Sequence, residues 1–270
     1  MPSCPMYFPA EFDISEAILL AELVSTAYDM QSQWKQQGKP SRSNFQWSPS
    51  GPDLTYSRPL WGSDRFLYFF QEEEPFAFVA TGSDQVAYLV FRGTDSYADW
   101  VENLKFDLID YPHAPGYGKV NQGFAGIYAS MSADVLQALA AIQPHAKLLI
   151  TGHSLGCALA TLAVPDIMAN LPQANSDAIL HCNFASPRTG DPVFASTYNA
   201  CNVKTFRLVN TCDIVPTVPA SVITKDLPIY KHIGIPVDFT AQYSSIPGNH
   251  SITDSYRYAL QHPDQPEGAT

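Results

Sequence analysis

The chain has 270 residues, of which 46% are hydrophobic and 15% are charged, and its formal net charge is −11. This apolar fraction is enough for a sizeable core and excludes an intrinsically disordered chain. The acidic charge repels nucleic acid and anionic lipid headgroups, so we expect no nucleic-acid partner.

The five cysteines indicate neither a disulfide framework nor a metal site, because their number is odd and no two have metal-ligand spacing. We expect mostly buried, reduced thiols. The N-terminus lacks the basic and apolar regions of a secretory leader, and no apolar run is long enough for a transmembrane segment. The expected location is therefore cytoplasmic, with secretion as the alternative if a leader has been removed.

An N-terminal helix and a covering loop are predicted for residues 1–64. Apolar residues recur at helical spacing over residues 13–35, with Asp13 and Ser15 as candidate N-caps. Residues 37–59 are rich in Pro, Ser and Gly, which is typical of a loop.

The following segments predict strands and then a short helix. Their β-branched and aromatic residues, bounded by turn signals, are typical of consecutive strands. The expected strands are FLYFFQ, PFAFVATG and QVAYLVFRG. We expect a short helix over residues 96–104 and an irregular segment over 105–120.

Further along the chain, helical and strand patterns alternate, which predicts an α/β fold with a mostly parallel sheet covered by helices on both faces. Pro165 is expected to kink or shorten the helix SLGCALATLAVPDIMAN. There is no internal repeat and no linker, so one domain is expected over residues 1–270. Its core lies at about 65–260, and its tail, 261–270, is expected to be frayed.

The sequence ITGHSLG, residues 150–156, is typical of a sharp turn from a strand into a helix. Gly152 and Gly156 flank Ser154, and larger side chains would clash at those positions. The serine hydroxyl would project from the sheet at a helix N-terminus, where N–H groups favour negative charge. Ser154 is therefore a candidate nucleophile, and an ordinary N-cap serine is the structural alternative.

A serine nucleophile needs a base and an orienting carboxylate, which in this arrangement follow in the order Ser, acid, His. The candidates are Asp191 and Asp213 for the acid, and His232, His250 and His262 for the base. We assign Asp213, whose loop is stiffened by two prolines, and His250, which lies in a loop just before a predicted helix. His232 lies in a strand-like run, where a packed or hydrogen-bonded side chain is expected.

The tetrahedral intermediate of such a reaction carries an oxyanion, which needs two N–H donors. Leu155, directly after the nucleophile, is one candidate donor. Thr94, at the end of the strand YLVFRGT, is the other, through its N–H and its hydroxyl. Taken alone, Arg92-Gly93-Thr94 fits an ordinary turn equally well.

Seven segments, occurring in order over about residues 75–256, together resemble the class 3 lipases. This family contains the fungal triacylglycerol lipases and feruloyl esterases, with bacterial and plant relatives. The segments are VFRGT (90–94), VNQGF (120–124), ITGHSLG (150–156), FASPRTGD (184–191), LVNTCDIVP (208–216), YKHIG (230–234) and NHSITDSY (249–256). The resemblance implies an α/β-hydrolase fold and ester hydrolysis without a cofactor. It also implies catalytic positions at Ser154, Asp213 and His250 and an oxyanion position at Thr94.

The chain departs from the family pattern at a few positions. The family usually has histidine where Asn121 stands, which implies altered packing rather than lost chemistry. Cys157 replaces a common small residue after the turn, and Pro165 interrupts the following helix. The secreted fungal members carry a leader and disulfides, and this chain suggests neither.

The resemblance favours a lipase that acts on acylglycerols. Family lipases cover their site with a lid that follows the oxyanion strand, and residues 95–118 occupy that place here. Apolar residues at three- and four-residue steps would give a helix one apolar face, namely Tyr97, Trp100, Val101 and Leu104. That helix would be either a lid or, equally, a fixed helix of the core. Ile214, Val215 and Ile252 would line the acyl pocket, and ordinary packing would account for these residues equally well.

Two alternatives stay open. One is an esterase for short-chain or feruloyl-type esters, which differs in lid mobility and pocket length. The other is an inactive lipase-like scaffold, which predicts a broken triad, whereas all three triad residues are present in order. The expected partner is a small-molecule or lipid ester, with transient contact to a lipid interface.

Overall fold

The computed structural model describes residues 5–63, 73–94, 106–142, 147–172, 174–221 and 229–267. The predicted strand FLYFFQ and the predicted helix at 96–104 lie outside these residues. So do Tyr97, Trp100, Val101 and Leu104 of the suggested lid.

Helix α1, Ile14–Gln36, forms as the sequence predicts. The Asp13 carboxylate accepts hydrogen bonds from the backbone N–H groups of Ser15 and Glu16, which satisfies two donors of the first turn. Asp13 is therefore the N-cap, and Ser15 is not. The apolar residues of α1 pack on strands of the central sheet.

The described strands are β1 (Thr55–Tyr56), β2 (Leu60–Ser63), β3 (Glu73–Thr81), β4 (Val86–Phe91), β5 (Leu108–Asp110), β6 (Lys119–Asn121), β7 (Lys147–His153), β8 (Ile179–Phe184), β9 (Lys204–Asn210) and β10 (Ile235–Phe239). The main sheet has the order β1-β3-β4-β7-β8-β9-β10, and β2 pairs with β3 beside this path. The pairs from β4 to β10 are parallel, whereas β1, β2 and β3 pair antiparallel. The predicted, mostly parallel sheet is confirmed.

The expectation of an irregular segment at 105–120 is wrong in part, because β5 and β6 form a small antiparallel pair there. Their three-residue length gives little alternating pattern to detect. Asn121 ends β6, and its side chain accepts from the N–H groups of Gly123 and Phe124 at the start of the next helix.

The other described helices are α2 (Gln122–Ala141), α3 (Leu155–Asn170), α4 (Pro192–Ala200), α5 (Ile246–His250), a π-helix (Ile252–Arg257) and α6 (Tyr258–Gln261). Pro165 does not shorten α3, which runs on to Asn170. A proline leaves carbonyls of the preceding turn without their usual donors. The carbonyl that loses its donor is that of Thr161, and at the next residue the Tyr111 hydroxyl donates to the Leu162 carbonyl oxygen at 2.6 Å.

The core lies on both faces of the sheet. Along β4, Ala87, Leu89 and Phe91 face the cluster that contains α2 and α3, whereas Tyr88 and Val90 face the cluster that contains α1 and α6. This alternation follows from the two-residue period of a strand. The chain thus has helices on both faces of one sheet, as predicted.

The C-terminal tail contacts other parts of the chain. The tail, expected to be frayed from 261, is anchored within the described residues: the Pro263 carbonyl accepts from the Met6 N–H at 2.8 Å, and the Glu267 side chain accepts from the Gln242 N–H at 3.1 Å. Among the described helices, none is long and apolar enough to cross a bilayer.

Candidate active site

The candidate residues meet at the carboxyl edge of the parallel strands. Thr94 follows β4, Ser154 follows β7 and Asp213 follows β9. Because parallel strands all end at the same edge of a sheet, these three segments converge, and this edge is where α/β proteins place their ligands.

The turn at Ser154 is sharply bent. Ser154 has φ 57° and ψ −127°, a left-handed conformation that costs energy for a residue with a side chain. A Cβ on Gly152 would lie 2.3 Å from the Gly156 carbonyl oxygen, and one on Gly156 would lie 2.5 Å from the Phe91 carbonyl oxygen. Both positions therefore require glycine, because backbones approach closely there.

The Ser154 side chain does not behave as an ordinary N-cap. It makes no capping hydrogen bond to α3, although it precedes that helix. Ser154 is fully buried, and among the described residues its Oγ has no hydrogen-bond partner. A buried hydroxyl without a partner calls for an explanation other than stability, and the N-cap alternative does not supply one.

Asp213 and His250 form a direct pair. His250 Nδ1 lies 2.7 Å from Asp213 Oδ2, and both side chains are buried. The carboxylate fixes the tautomer with the proton on Nδ1, so Nε2 is the nitrogen that can accept a proton. The remaining carboxylate oxygen, Oδ1, accepts from the Val215 N–H at 3.0 Å.

Tyr256 is a second donor to the same carboxylate oxygen. Its hydroxyl lies 2.8 Å from Asp213 Oδ2, and it is carried by the π-helix that follows His250. Burial, together with the negative charge of Asp213, raises the pKa of Tyr256 well above 10. The hydroxyl therefore stays protonated and keeps donating to Asp213.

Asn210 ties the acid loop to the base loop. This buried side chain donates from Nδ2 to the carbonyl oxygens of Ala241 and Asn249, at 2.8 and 3.0 Å. Its Oδ1 accepts from the Cys212 N–H at 3.2 Å. One amide thus fixes the residue before His250 and the residue before Asp213 at the same time.

His250 ends the short helix α5, rather than lying in a loop as expected. Ser245 caps α5 through the Gly248 N–H, and Pro247 lies in its first turn, which favours a helix start there. The His250 ring lies 4.5 Å from the His153 ring, centroid to centroid. The candidate base His250 is therefore next to the residue that precedes Ser154.

The strand end before Thr94 presses against the serine turn. A Cβ on Gly93 would lie 2.9 Å from the Ser154 Cβ. Arg92, buried and paired with Glu74 at 2.5 Å, donates from Nη1 to the Gly93 carbonyl oxygen at 2.7 Å. Because C=O and N–H point in opposite directions across a trans peptide, this bond directs the Thr94 N–H away from Arg92.

The other candidates from the sequence lie elsewhere. Asp191 caps α4 by accepting from the Phe194 N–H at 2.7 Å. His232 is half-buried with Nε2 2.8 Å from the Pro216 carbonyl oxygen, and burial, with Arg207 nearby, lowers its pKa to about 3. His262 is exposed and stacks on Tyr258.

The three suggested acyl-pocket residues do not form one surface. Val215 is fully buried in the cluster with α2 and α3, and Ile252 is buried in the cluster on the opposite face of the sheet. Only Ile214, which is 44% exposed, reaches the surface beside Asp213. Ordinary packing therefore accounts for Val215 and Ile252.

Several positions near the site were given no role in the sequence analysis. Tyr256, Asn210 and the Arg92–Glu74 pair hold the catalytic candidates through hydrogen bonds between distant segments, which leave no local pattern. Asn121, expected to alter packing, donates to the Tyr230 hydroxyl at 3.0 Å while capping α2. Within the described residues, no group of three or more His, Cys, Asp or Glu side chains is placed to hold a metal ion.

Comparison with known proteins agrees with this geometry. The family model described as "Lipase (class 3)" matches residues 88–223. The lipase of Rhizomucor miehei is 34% identical over 147 residues, which are 53% of this chain and 40% of the relative. The chloroplastic phospholipase A(1) DAD1 of Arabidopsis thaliana is 26% identical over 241 residues, which are 82% of this chain and 52% of the relative. The chain belongs to the class 3 lipase family.

A solved structure supports the fold assignment. The triacylglyceride lipase of Rhizomucor miehei superposes with a TM-score of 0.65 at 24% identity, covering 86% of this chain and 82% of that one. The chain thus has the α/β-hydrolase fold that the resemblance implied. It spans from two fifths to about half of the length of the two curated relatives named above.

Proposed function

We propose that this chain is a serine carboxylic ester hydrolase that acts on acylglycerol esters, with Ser154 as nucleophile, His250 as base and Asp213 as the orienting acid. One observation carries the proposal. Ser154 has a strained backbone and a buried hydroxyl, beside a histidine whose other nitrogen is 2.7 Å from a buried carboxylate.

Acylation follows from the placement of these groups. Ser154 Oγ attacks the ester carbonyl carbon while His250 Nε2 takes the hydroxyl proton, and Asp213 stabilises the resulting imidazolium. The carbonyl oxygen becomes an oxyanion, for which the N–H groups of Leu155 and Thr94 are the proposed donors. One such donor typically contributes about 10²–10³ in rate. The leaving alcohol then takes the proton from His250.

Deacylation repeats these steps with water. His250 Nε2 takes a proton from water as its oxygen attacks the acyl carbon, and a second oxyanion forms at the same donors. The proton then returns to Ser154 Oγ as the carboxylic acid leaves. Besides the ester, this scheme uses no group outside the chain other than water.

The surface beside the acid and base loops supports an apolar ester as substrate. Ile214, next to Asp213, is 44% exposed, and Ile246, in the helix that ends at His250, is 56% exposed. Single exposed apolar side chains are common on protein surfaces, and what supports the proposal is that these two are next to Asp213 in the sequence and in the helix that ends at His250, where contact with an acyl chain or a lipid surface would bury them. Because the net charge is −11, we propose transient contact with a neutral lipid interface.

The test is hydrolysis of p-nitrophenyl esters from acetate to palmitate, with Ser154→Ala as control. We expect activity to persist to long chains and to fall on the order of 10⁶-fold in kcat for Ser154→Ala. A fluorophosphonate should label the wild-type chain at Ser154 and leave Ser154→Ala unlabelled.

The other readings give different results in the same assay. Activity that falls sharply beyond butyrate would replace the lipase by a short-chain or feruloyl-type esterase. No Ser154-dependent activity and no labelling would contradict the hydrolase and favour the inactive scaffold.

The similarity to fungal lipases supports secretion, which was the alternative to a cytoplasmic location. Of the four described cysteines, Cys157 and Cys182 are buried, Cys201 and Cys212 are half-buried, and all four are free thiols. Fractionation of the source cells with an antibody to this chain would decide between the two locations.

A further inference from the structure

Tyr28 of the N-terminal helix reaches the centre of the candidate site, although it is far from it in sequence. Its hydroxyl lies 2.7 Å from His153 Nδ1 and accepts from the Gly93 N–H at 3.1 Å. A Cβ on Gly93 would lie 2.4 Å from the Tyr28 hydroxyl oxygen, so glycine is what lets this contact form. One hydroxyl thus touches the residue before Thr94 and the residue before Ser154.

The direction of each hydrogen bond follows from the contact that His153 makes through its other ring nitrogen, Nε2. His153 Nε2 lies 2.8 Å from the His250 carbonyl oxygen, which can only accept, so Nε2 carries a proton. Burial, and to a smaller extent the neighbouring His250 imidazole, lower the pKa of His153 well below 6.5, so the ring is neutral. Its Nδ1 is then an acceptor, and the Tyr28 hydroxyl donates to it.

These bonds form one directed chain: Gly93 N–H to the Tyr28 oxygen, the Tyr28 hydroxyl to His153 Nδ1, and His153 Nε2–H to the His250 carbonyl. The chain spans the oxyanion strand end, the serine turn and the backbone of the base. It joins segments that come from four separate parts of the sequence.

The geometry points to Tyr28 as a positioning residue that holds the oxyanion donors and the base in register around Ser154. This inference rests on the proposed function. Tyr28 acts through His153 and Gly93 rather than on the reacting atoms. Its contribution should therefore be larger in the transition state, where donor positions matter most, than in the binding of an unreacted ester.

The test compares Tyr28→Phe with Tyr111→Phe. Each variant removes one tyrosine hydroxyl and keeps the ring, and the Tyr111 hydroxyl donates to a carbonyl of α3 rather than to the site. We expect Tyr28→Phe to lower kcat about 10–100-fold with KM changed less than about threefold. Tyr111→Phe should keep kcat within about twofold of wild type, because its lost bond is structural only.

The affinities of two ketone inhibitors of equal chain length provide a second measurement. Their ratio would stay unchanged if the role of Tyr28 were only structural. An alkyl trifluoromethyl ketone bonds reversibly to Ser154 Oγ: its carbonyl electrons move to oxygen, and the hydroxyl proton moves to His250. The corresponding methyl ketone binds without this step. We expect Tyr28→Phe to weaken the trifluoromethyl ketone about tenfold or more and the methyl ketone less than about threefold.

The outcomes separate this inference from the proposed function. An inactive wild type would contradict the proposed function. An active wild type with equal kcat in Tyr28→Phe and Tyr111→Phe would overturn the inference alone. So would an equal loss of affinity for both ketones in Tyr28→Phe. If Tyr28→Phe does not fold, His153→Gln breaks the same chain and should give the same split between the ketones. An unchanged ratio of the two affinities in His153→Gln would overturn it.

Discussion

The two halves of the candidate site are held in place by different kinds of interaction. At the serine turn, backbone atoms approach so closely that Gly152 and Gly156 have no room for a Cβ, and at the end of β4 the Tyr28 hydroxyl and the His153 carbonyl leave no room for one on Gly93. At the acid and base loops, side-chain hydrogen bonds from Asn210 and Tyr256 hold Asp213 and the segment before His250. The first half is fixed by steric exclusion and the second by a polar network.

This difference determines whether a substitution in each half should lower stability, activity or both. Steric contacts between backbones tolerate no added atom, so one methyl group should damage the turn and the fold together. A hydrogen-bond network can lose one donor and keep its shape, so activity should fall before stability does. Substitutions matched in size can separate these two behaviours.

Among the substitutions that separate the two halves, Asp213→Asn on the acid side should have the largest effect. The amide cannot stabilise the imidazolium and favours the wrong tautomer of His250, so we expect kcat to fall about 10⁴-fold with the fold intact. Kinetics on a p-nitrophenyl ester, with circular dichroism for folding, measures this. Asp191→Asn is the matched control, because Asp191 was the other candidate acid and its carboxylate accepts from the backbone N–H groups of Phe194 and Lys119. A large activity loss in Asp191→Asn, with Asp213→Asn active, would reverse the assignment.

On the steric side, Gly156→Ala should cost about 3 kcal/mol or more in the free energy of unfolding. Its Cβ would lie 2.5 and 2.6 Å from the carbonyl oxygens of Phe91 and Arg92, which are backbone atoms and cannot rotate away. Gly116→Ala is the control, because Gly116 has φ 89° but nothing within 4 Å of its added Cβ. It should cost only the backbone strain, about 1–2 kcal/mol. Urea denaturation compares the two, and equal losses would contradict the steric account.

The same contrast explains what could be predicted from the sequence. The serine turn is a local pattern in which spacing specifies the geometry, so Ser154, Gly152 and Gly156 could be named as candidates in advance. Thr94 could be named from the family resemblance, and its role stays a prediction. Asp213 could be chosen because it follows a predicted strand, and His250 because it comes just before a predicted helix, although His250 itself ends the short helix α5. The partners that hold them could not be named, because Tyr28, Asn210 and Tyr256 meet the site only after the chain has folded.

Some elements were also beyond sequence reasoning for physical reasons. β5 and β6 are three residues long, too short for alternation to be visible. Pro165 should disfavour a helix locally, yet α3 is almost fully buried between the sheet and α2, and tertiary packing overrides the local preference.

A smaller effect is expected for Tyr256→Phe, which removes one of the three donors to Asp213. We expect kcat to fall about tenfold, because the lost bond is to a charged group and is typically worth about 1.5–3 kcal/mol. Tyr128→Phe is a close control, since the Tyr128 hydroxyl donates to the buried Asp166 carboxylate at 2.7 Å away from the site. Both variants should lose similar thermal stability, and only Tyr256→Phe should lose activity. An equal kcat in the two would contradict the role of the network.

The smallest effect at neutral pH concerns His181, which lies on β8 outside both halves of the site. The side chain is fully buried, with Nδ1 2.6 Å from the Tyr198 hydroxyl, and burial lowers its pKa to about 3. The unfolded chain takes up a proton at His181 below about pH 6.5, whereas the folded chain does so only near pH 3. Acid therefore favours unfolding between these values, and the contribution is fully present above pH 6.5.

His181→Gln removes this titration, so its free energy of unfolding should fall less steeply with acid. We expect a slope smaller than that of wild type by about one proton, or about 1.4 kcal/mol per pH unit, between pH 6 and 4. Above pH 7 the two slopes should coincide. Urea denaturation across this range measures it, and parallel curves below pH 6 would contradict it. The result matters for the comparison of the two halves, because acid that unfolds the sheet through His181 abolishes activity without acting on either half of the site.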